Sequence, residues 1–449
     1  MKRTNTIDPI RNWVRTICLL TVCIVTLNVS FTASAHAFQL TESSQTVTDT
    51  NIEHTNQTQP NNPPALAAQS AILIDMKTGE VLYAKHPDDR HYPASITKIL
   101  TAILALEHSK LSDLVTTSKL ATEQDGNRIY LVEDEQETME HMLYGLLLNS
   151  GNDAAVAIAE HVAGSVPAFA DLMNEKAKQI GATHSHFVTP NGLHDPNHYT
   201  SAHDMALIAR YAMQISEFRQ LVATKYYPWH GKEWDSELVN LNRLLWTYDG
   251  ATGIKTGYTD QAQQTAVVSA TRGNSSLLAV LLDIQGLDEA RKESAELLDY
   301  GFSDFQNVRL MKKGTEVTTL HVQGEPPIPA VAMNDTWYME RKAAKPEIRT
   351  HVRVFPITTP VKAGTKVGEV EFMDGQTIIA RTPVAIVKDV TLSSASQSFL
   401  ARDSTDTLLF ALLLFLIGAG WFVRQKKRQM KFPQMTETGK RFLYRSDES

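Results

Sequence analysis

The chain has 449 residues, enough for two or three domains, and its 43% hydrophobic and 21% charged content is that of packed globular protein. A formal net charge of −7 argues against nucleic acid as the main partner. Its two cysteines, Cys18 and Cys23, both fall in an N-terminal apolar segment, so the chain beyond that segment has no disulfide or thiolate chemistry.

Lys2, Arg3, Arg11 and Arg15 precede an apolar run over 17–29, and Ala33-Ser34-Ala35-His36-Ala37 follows it. A charged stretch, an apolar stretch and a small-residue site predict an export signal over 1–37, cleaved after Ala37. Residues 38–66, rich in Thr, Gln, Asn, Ser and Pro, read as a flexible leader. A strand over 71–75, a turn at Lys77-Thr78-Gly79-Glu80 and a strand over 81–84 read as a β-hairpin.

Next comes Tyr92-Pro93-Ala94-Ser95-Ile96-Thr97-Lys98, opening an apolar run to Leu106. Pro93 marks the start of a helix that is apolar nearly all round and is therefore expected to be buried. Ser95 and Lys98, three positions apart, share a face of it. A lysine drawn into apolar surroundings loses hydration, its pKa falls, and the neutral amine becomes a base for the neighbouring hydroxyl.

An apolar helix over 139–148 ends at Asn149-Ser150-Gly151-Asn152, and a second begins at Asp153. The Ser150-Gly151-Asn152 triplet is thus a short connection that presents polar groups from two rigid elements. Residues 183–204 are irregular and carry His184, His186, His194, His198 and His203; a helix over 205–215 follows. Strands are predicted at Gly253-Ile254-Lys255-Thr256-Gly257-Tyr258, over 265–271 and, past a turn at Gly273-Asn274, over 277–282. Lys255, Thr256 and Gly257 on a strand offer a cation, a hydroxyl and room for a ligand's backbone. A helix over 288–300 closes the region.

From about residue 307 to 390 short β-rich runs alternate with turns, at 316–322, 348–354, 367–372 and 377–380, which reads as a separate all-β module. After a spacer at 393–406, residues 407–423 carry no charge, and Arg424, Lys426, Lys427, Arg428 and Lys431 follow. Those residues reach about 25 Å as a helix, close to the roughly 30 Å bilayer core. The positive-inside rule puts the tail, 424–449, in the cytoplasm and everything between signal and anchor outside.

Ser95-x-x-Lys98, Ser150-x-Asn152 and Lys255-Thr256-Gly257 stand in the order shared by penicillin-binding proteins and class A β-lactamases, with Gly151 in place of the aspartate usual in the second motif. The likeness also takes in Ala71 to Asp75 with Lys77-Thr78-Gly79, Leu146 to Ala155, Asn191-Gly192-Leu193-His194, Asp204-Met205-Ala206-Leu207 and Gly253 to Thr259. Over roughly 71–302 the chain resembles the low-molecular-mass penicillin-binding proteins, the serine D-alanyl-D-alanine carboxypeptidases. The resemblance implies an α/β catalytic domain over 67–304, an antiparallel sheet flanked by helices, with a smaller all-β domain over 305–392. It implies Ser95 as the acylated nucleophile, Lys98 as its base, and Ser150 and Asn152 as groups that orient the peptide and relay protons. Lys255 and Thr256 would hold the terminal carboxylate, and the backbone N–H groups of Ser95 and Tyr258, beside Gly257, would form the oxyanion hole. No cofactor or metal is implied. The partners implied are peptidoglycan stem peptides and, as acylating inhibitors, β-lactam antibiotics.

His203 departs from the pattern, since some relatives carry arginine there. A β-lactamase or a DD-endopeptidase of the same fold is the nearest alternative, but no glutamate stands in the setting that activates a deacylating water; Glu237 to Asn240 does not fit. A zinc peptidase built on the five histidines lacks the His-Glu-x-x-His spacing. A non-catalytic wall-binding protein would not need all three motifs intact.

Overall fold

The computed structural model describes residues 63–322, 326–344, 346–357, 360–390, 412–422 and 424. The export signal and most of the leader lie outside the described residues.

The catalytic region is built on one antiparallel sheet. Its strands are β1 (Ser70–Asp75), β2 (Val81–Lys85), β7 (Ala251–Thr259), β8 (Gln263–Arg272) and β9 (Ser275–Ile284), in the order β2-β1-β9-β8-β7. Alternate side chains of a strand face opposite sides. Ile72, Ile74, Val267, Leu278, Val280 and Leu282 enter one core, and Ala71, Leu73, Val268, Leu277, Ala279 and Leu281 the other. A sheet buried on both faces needs two covering layers. One is the C-terminal helix Leu287–Asp304, through Ala290, Leu297 and Leu298.

The other layer is helical: α1 (Lys98–His108), α2 (Lys119–Thr122), α3 (Met139–Leu147), α4 (Asn152–Ala163), α5 (Val166–Ile180), α6 (Ala202–Ala212) and α7 (Ser216–Ala223). Helix α1 lies at its centre, against α3, α4, α5 and α6, and is fully buried from Lys98 to Ala105. Its apolar girdle thus dictates its place. Two short hairpins complete the layer, β3–β4 (Leu114–Thr116, Gln136–Thr138) and β5–β6 (Tyr226–His230, Asp235–Val239).

The 205–215 helix starts earlier than its apolar stripe suggests, because the Ser201 hydroxyl caps it by accepting from the Asp204 amide. Helix α5 and the β5–β6 hairpin were not foreseen. Ser165 as cap, Pro167 in the first turn, and Phe169, Met173 and Ala177 at four-residue spacing are the signals for α5.

Beyond the long helix, a five-stranded antiparallel sheet of order β11-β12-β16-β15-β14 packs around Val367, Val370, Phe372, Val384 and Ile386. Its strands are β11 (Glu316–Leu320), β12 (Ile328–Ala332), β14 (Ile348–Val354), β15 (Lys366–Asp374) and β16 (Thr377–Ile386). A two-stranded ribbon, β10 (Phe305–Met311) with β13 (Thr336–Arg341), joins it to the catalytic region, and Asn307 Nδ2 donates to Asp75 Oδ1 at 2.7 Å.

Within the expected span at 407–423, Leu412–Phe422 forms an apolar helix, and the rest lies outside the described residues. Among the described residues no single helix is long and apolar enough to cross a membrane. Helices α4 and α5 pass a combined length and composition test, but they are bent by 83° and belong to the catalytic core.

Candidate active site

Ser95 does not sit in the first turn of an α-helix. Residues Ala94–Thr97 form a 3₁₀ turn, and α1 begins at Lys98. In a 3₁₀ turn positions i and i+3 eclipse, so the lysine stands directly over the serine. Lys98 Nζ lies 3.0 Å from Ser95 Oγ. Ala94, the residue before Ser95, has φ +49°, and Ser150 has φ +63°. Non-glycine residues held there are uncommon, and both of these flank the reacting groups.

Lys98 is wholly buried and also reaches Asn152 Oδ1 and the Asn191 carbonyl, each at 2.7 Å. Asn152 Nδ2 donates to the Asp125 carbonyl, which fixes the amide with its oxygen toward the lysine. Burial holds the Lys98 pKa well below the usual lysine value, and the Lys255 charge lowers it further, against a smaller opposing effect of Asp153. A neutral amine has two N–H bonds and one lone pair. The two amide oxygens can only accept, so they take the N–H bonds, and the lone pair is left for the Ser95 hydroxyl.

Lys255 is also buried, and desolvation brings its pKa down to about 7; its Nζ donates to the Thr256 carbonyl at 2.8 Å. It stands on β7, an edge strand, so one side of that strand's backbone is free of sheet pairing. Gly257 lets this strand approach the serine. A Cβ there would lie 2.6 Å from the Ser95 nitrogen and 2.7 Å from Thr265 Oγ1. Thr265 in turn donates to the Pro93 carbonyl at 2.9 Å, tying β8 to the same turn. Gly257→Ala is therefore expected to push strand and serine apart and lower acylation about 100-fold, since misplacement near 1 Å has that effect. Acylation rates by a penicillin, read beside thermal unfolding, check this; a rate near wild type would show that the close approach is dispensable.

The structure thus brings together Ser95, Lys98 and Asn152, with the Lys255 charge near enough to act on Lys98 and Gly257 against the Ser95 nitrogen; Thr256 follows on β7, and its carbonyl, not its hydroxyl, is bonded to Lys255. Ser150 is buried at the α3–α4 connection, but no hydrogen bond among the described residues joins it to Ser95 or Lys98. Tyr258 is exposed, and its hydroxyl turns to Asp260. His203 pairs with Asp88 at 3.0 Å, outside this constellation.

Two supports escaped sequence reading. Asp153 is buried in the first turn of α4, and its carboxylate accepts from the amides of Ile129, Leu131 and Ala154. This pins the segment 125–131, whose Asp125 and Asn127 carbonyls hold Asn152. His198, one of the five histidines, is buried: Nδ1 accepts from the amides of Val188 and Thr189, and Nε2 donates to Thr97 Oγ1 at 2.9 Å. It fastens the loop carrying the Asn191 carbonyl to the 3₁₀ turn. Among the described residues no three His, Cys, Asp or Glu side chains gather as a metal site would require.

Desolvation lowers the His198 pKa to about 4. Folded, it stays neutral where the unfolded chain, near 6.5, takes up a proton. Its stabilising effect is complete above pH 6.5 and falls as acid is added, by about 3 kcal/mol at pH 4. Urea unfolding at pH 7 and pH 4 should lose that much more stability in wild type than in His198→Asn; equal losses would refute it.

Comparison with known proteins agrees with this architecture. The D-alanyl-D-alanine carboxypeptidase family model matches residues 55–286, and the model of the penicillin-binding protein 5 C-terminal domain matches 305–392. The chain is 32% identical over 354 residues to the D-alanyl-D-alanine carboxypeptidase DacF of Bacillus subtilis, covering 76% of this chain and 90% of that one. It is 31% identical over 344 residues to DacA of Haemophilus influenzae, covering 73% and 86%. Among solved structures, penicillin binding protein 5 of Haemophilus influenzae superposes with a TM-score of 0.65 at 30% identity, over 74% of this chain and all of that one. A mutant of the Streptomyces K15 DD-transpeptidase gives 0.52 at 31%, over 54% of this chain and 99% of its own. With the catalytic and the C-terminal models matching consecutive stretches, the chain belongs to the serine D-alanyl-D-alanine carboxypeptidases, the low-molecular-mass penicillin-binding proteins.

Proposed function

We infer that the protein removes the terminal D-alanine from peptidoglycan stem pentapeptides through an acyl-enzyme on Ser95. The observation that carries this is the buried Lys98 amine 3.0 Å from the Ser95 hydroxyl, its pKa held well below the usual lysine value by burial and by the Lys255 charge. Lys98 takes the hydroxyl proton as Ser95 Oγ attacks the carbonyl carbon of the penultimate D-alanine. The backbone N–H groups of Ser95 and Tyr258 stabilise the oxyanion, at roughly 3–4 kcal/mol per donor. The peptide bond then breaks, the leaving nitrogen receives the proton with Ser150 as relay, and D-alanine departs. Water hydrolyses the ester and regenerates the serine. Asn152 aligns the peptide, while Lys255 and Thr256 hold its terminal carboxylate. A β-lactam enters by the same attack and stays bound as an ester.

No glutamate stands in a Glu-x-x-Leu-Asn setting between Asn152 and Lys255 to activate a deacylating water, which favours slow deacylation over β-lactamase activity. Incubating the purified protein with a muropeptide pentapeptide tests the reading. Release of one D-alanine with no further cleavage is expected; splitting of a cross-linked dimer without that release would make it an endopeptidase, and rapid turnover of penicillin a β-lactamase.

We also propose that the chain is exported and anchored by its C-terminal apolar segment, with the catalytic cleft outside the membrane and the basic tail in the cytoplasm. The apolar side chains exposed along Leu412–Phe422 and the charges after it support this. Recovery of the full chain from the soluble fraction of lysed cells would contradict it.

A further inference from the structure

The segment that holds Asn152 has a second, outward face. Tyr130 has φ +57°, an outlier for a bulky residue. The cause is local: the amides on either side of it, Ile129 and Leu131, both turn inward to the Asp153 carboxylate. The ring is thereby pushed out and left 53% exposed. Opposite stands the β5–β6 hairpin, whose loop carries Glu233 and Trp234. The Tyr130 and Trp234 rings meet edge to face, 5.1 Å between centroids, and the Arg128 guanidinium lies 5.3 Å from the Tyr130 ring. A second buried carboxylate, Glu135, clamps the two walls together, accepting from the Val132 amide at 2.8 Å and the Lys232 amide at 2.7 Å. Between them opens a cleft of about 410 Å³, lined by Arg128, Tyr130, Leu131, Val132, Glu233 and Trp234. That size lies within the roughly 300–1,000 Å³ of small-ligand sites.

Folding alone gives little reason for this arrangement. A tyrosine held in a strained backbone conformation, of order 1–3 kcal/mol, gains little by leaving half its ring in water. A half-exposed tyrosine ring beside a partly buried tryptophan, with two opposite charges at the rim, is a feature of recognition. The charges are mixed, and Glu233 disfavours the carboxylates of a stem peptide. An amino sugar fits better, because its C–H faces cover aromatic rings while its hydroxyl and N-acetyl groups pair with Arg128 and Glu233. The cleft begins at the residue after Asn127, whose carbonyl accepts from the Asn152 amide at 2.7 Å. Ser95 is thus linked through Lys98 and Asn152 to the segment that carries Tyr130, and four extended stem residues reach roughly 13–14 Å.

We propose that this cleft is an amino-sugar subsite, taking the glycan end of a muropeptide whose stem peptide reaches Ser95. The proposal rests on the carboxypeptidase reading, and two measurements keep them separable. In the first, kcat/KM is compared for a disaccharide pentapeptide and for the same pentapeptide without sugar. Wild type should prefer the glycosylated substrate roughly three- to tenfold, the factor an aromatic contact supplies. In Tyr130→Ala, and separately in Trp234→Ala, the preference should vanish. A wild-type ratio near one, or a ratio kept in both variants, overturns the proposal.

In the second, the peptide-free disaccharide is titrated against Ser95→Ala protein by saturation-transfer NMR, with and without Tyr130→Ala. A signal that depends on Tyr130 upholds the subsite even if wild type turns over neither peptide, in which case only the carboxypeptidase reading falls. Intact turnover with no disaccharide signal and no preference removes the subsite alone.

Discussion

Replacing Ser95 by alanine is expected to abolish two events together, release of D-alanine from a pentapeptide and covalent labelling by a penicillin. Both need the same bond between Oγ and a carbonyl carbon, and alanine offers no atom to form it. The loss in turnover should reach at least about 10⁴-fold, the scale seen when a nucleophile that acts with its base as a unit is removed. The fold should be little affected. Ser95 is half-buried, and its hydroxyl is bonded to Lys98 alone among the described residues. Lys98 keeps its two amide oxygens, so no buried acceptor loses its donor. The measurement is a fluorescent-penicillin gel beside a thermal melt of the same preparation. An adduct that persists on folded Ser95→Ala protein would mean that another residue is the nucleophile.

How much of this site was legible in the sequence depends on whether a function belongs to a side chain or to the backbone. Ser95, Lys98, Asn152 and Lys255 are chosen for their side chains at fixed spacing on rigid elements, and the motifs showed them. The apolar girdle around Lys98 even foretold the sign of its pKa shift, which burial and Lys255 produce together. The Asn191 carbonyl could not be read in this way, because every residue has a carbonyl and only the folded loop aims this one. The role of His198 was hidden for a different reason. The sequence already set a metal aside for want of ligand spacing, but could not show that this ring, alone of the five, is spent on two amides and a threonine hydroxyl. Asp153 reads as a charge near a helix start, yet its larger role is to gather amides from a segment more than twenty residues away. Among the elements, the catalytic strands stood out by their apolar runs. The β5–β6 hairpin did not, since Pro228 within β5 argues against a strand and its apolar content is interrupted by charge. The 3₁₀ turn at Ser95 was hidden because i and i+3 meet in either kind of helix.

The same two lysines set the expected pH dependence. Lys98 must be neutral to accept the serine proton, and Lys255 must be charged to hold a carboxylate. With burial lowering both, and the Lys255 charge lowering Lys98 further, the working form carries its proton on Lys255. As pH rises through the Lys255 value of about 7, that proton is lost from the free enzyme. Because kcat/KM reports groups of the free enzyme, it should fall about tenfold per pH unit above 7 for a peptide ending in a carboxylate. A bound carboxylate favours the ammonium form, so kcat at saturation should hold to higher pH. A peptide with an amide in place of the carboxylate has no use for the charge and should show no such fall. Lys255→Met should likewise flatten the alkaline side and lower kcat/KM for the carboxylate peptide toward that of the amide. Initial rates from pH 5 to 10 on the two peptides, for wild type and Lys255→Met, decide the matter. An alkaline fall of equal steepness on both peptides would assign it to another group, and Lys255 would then not be the carboxylate anchor.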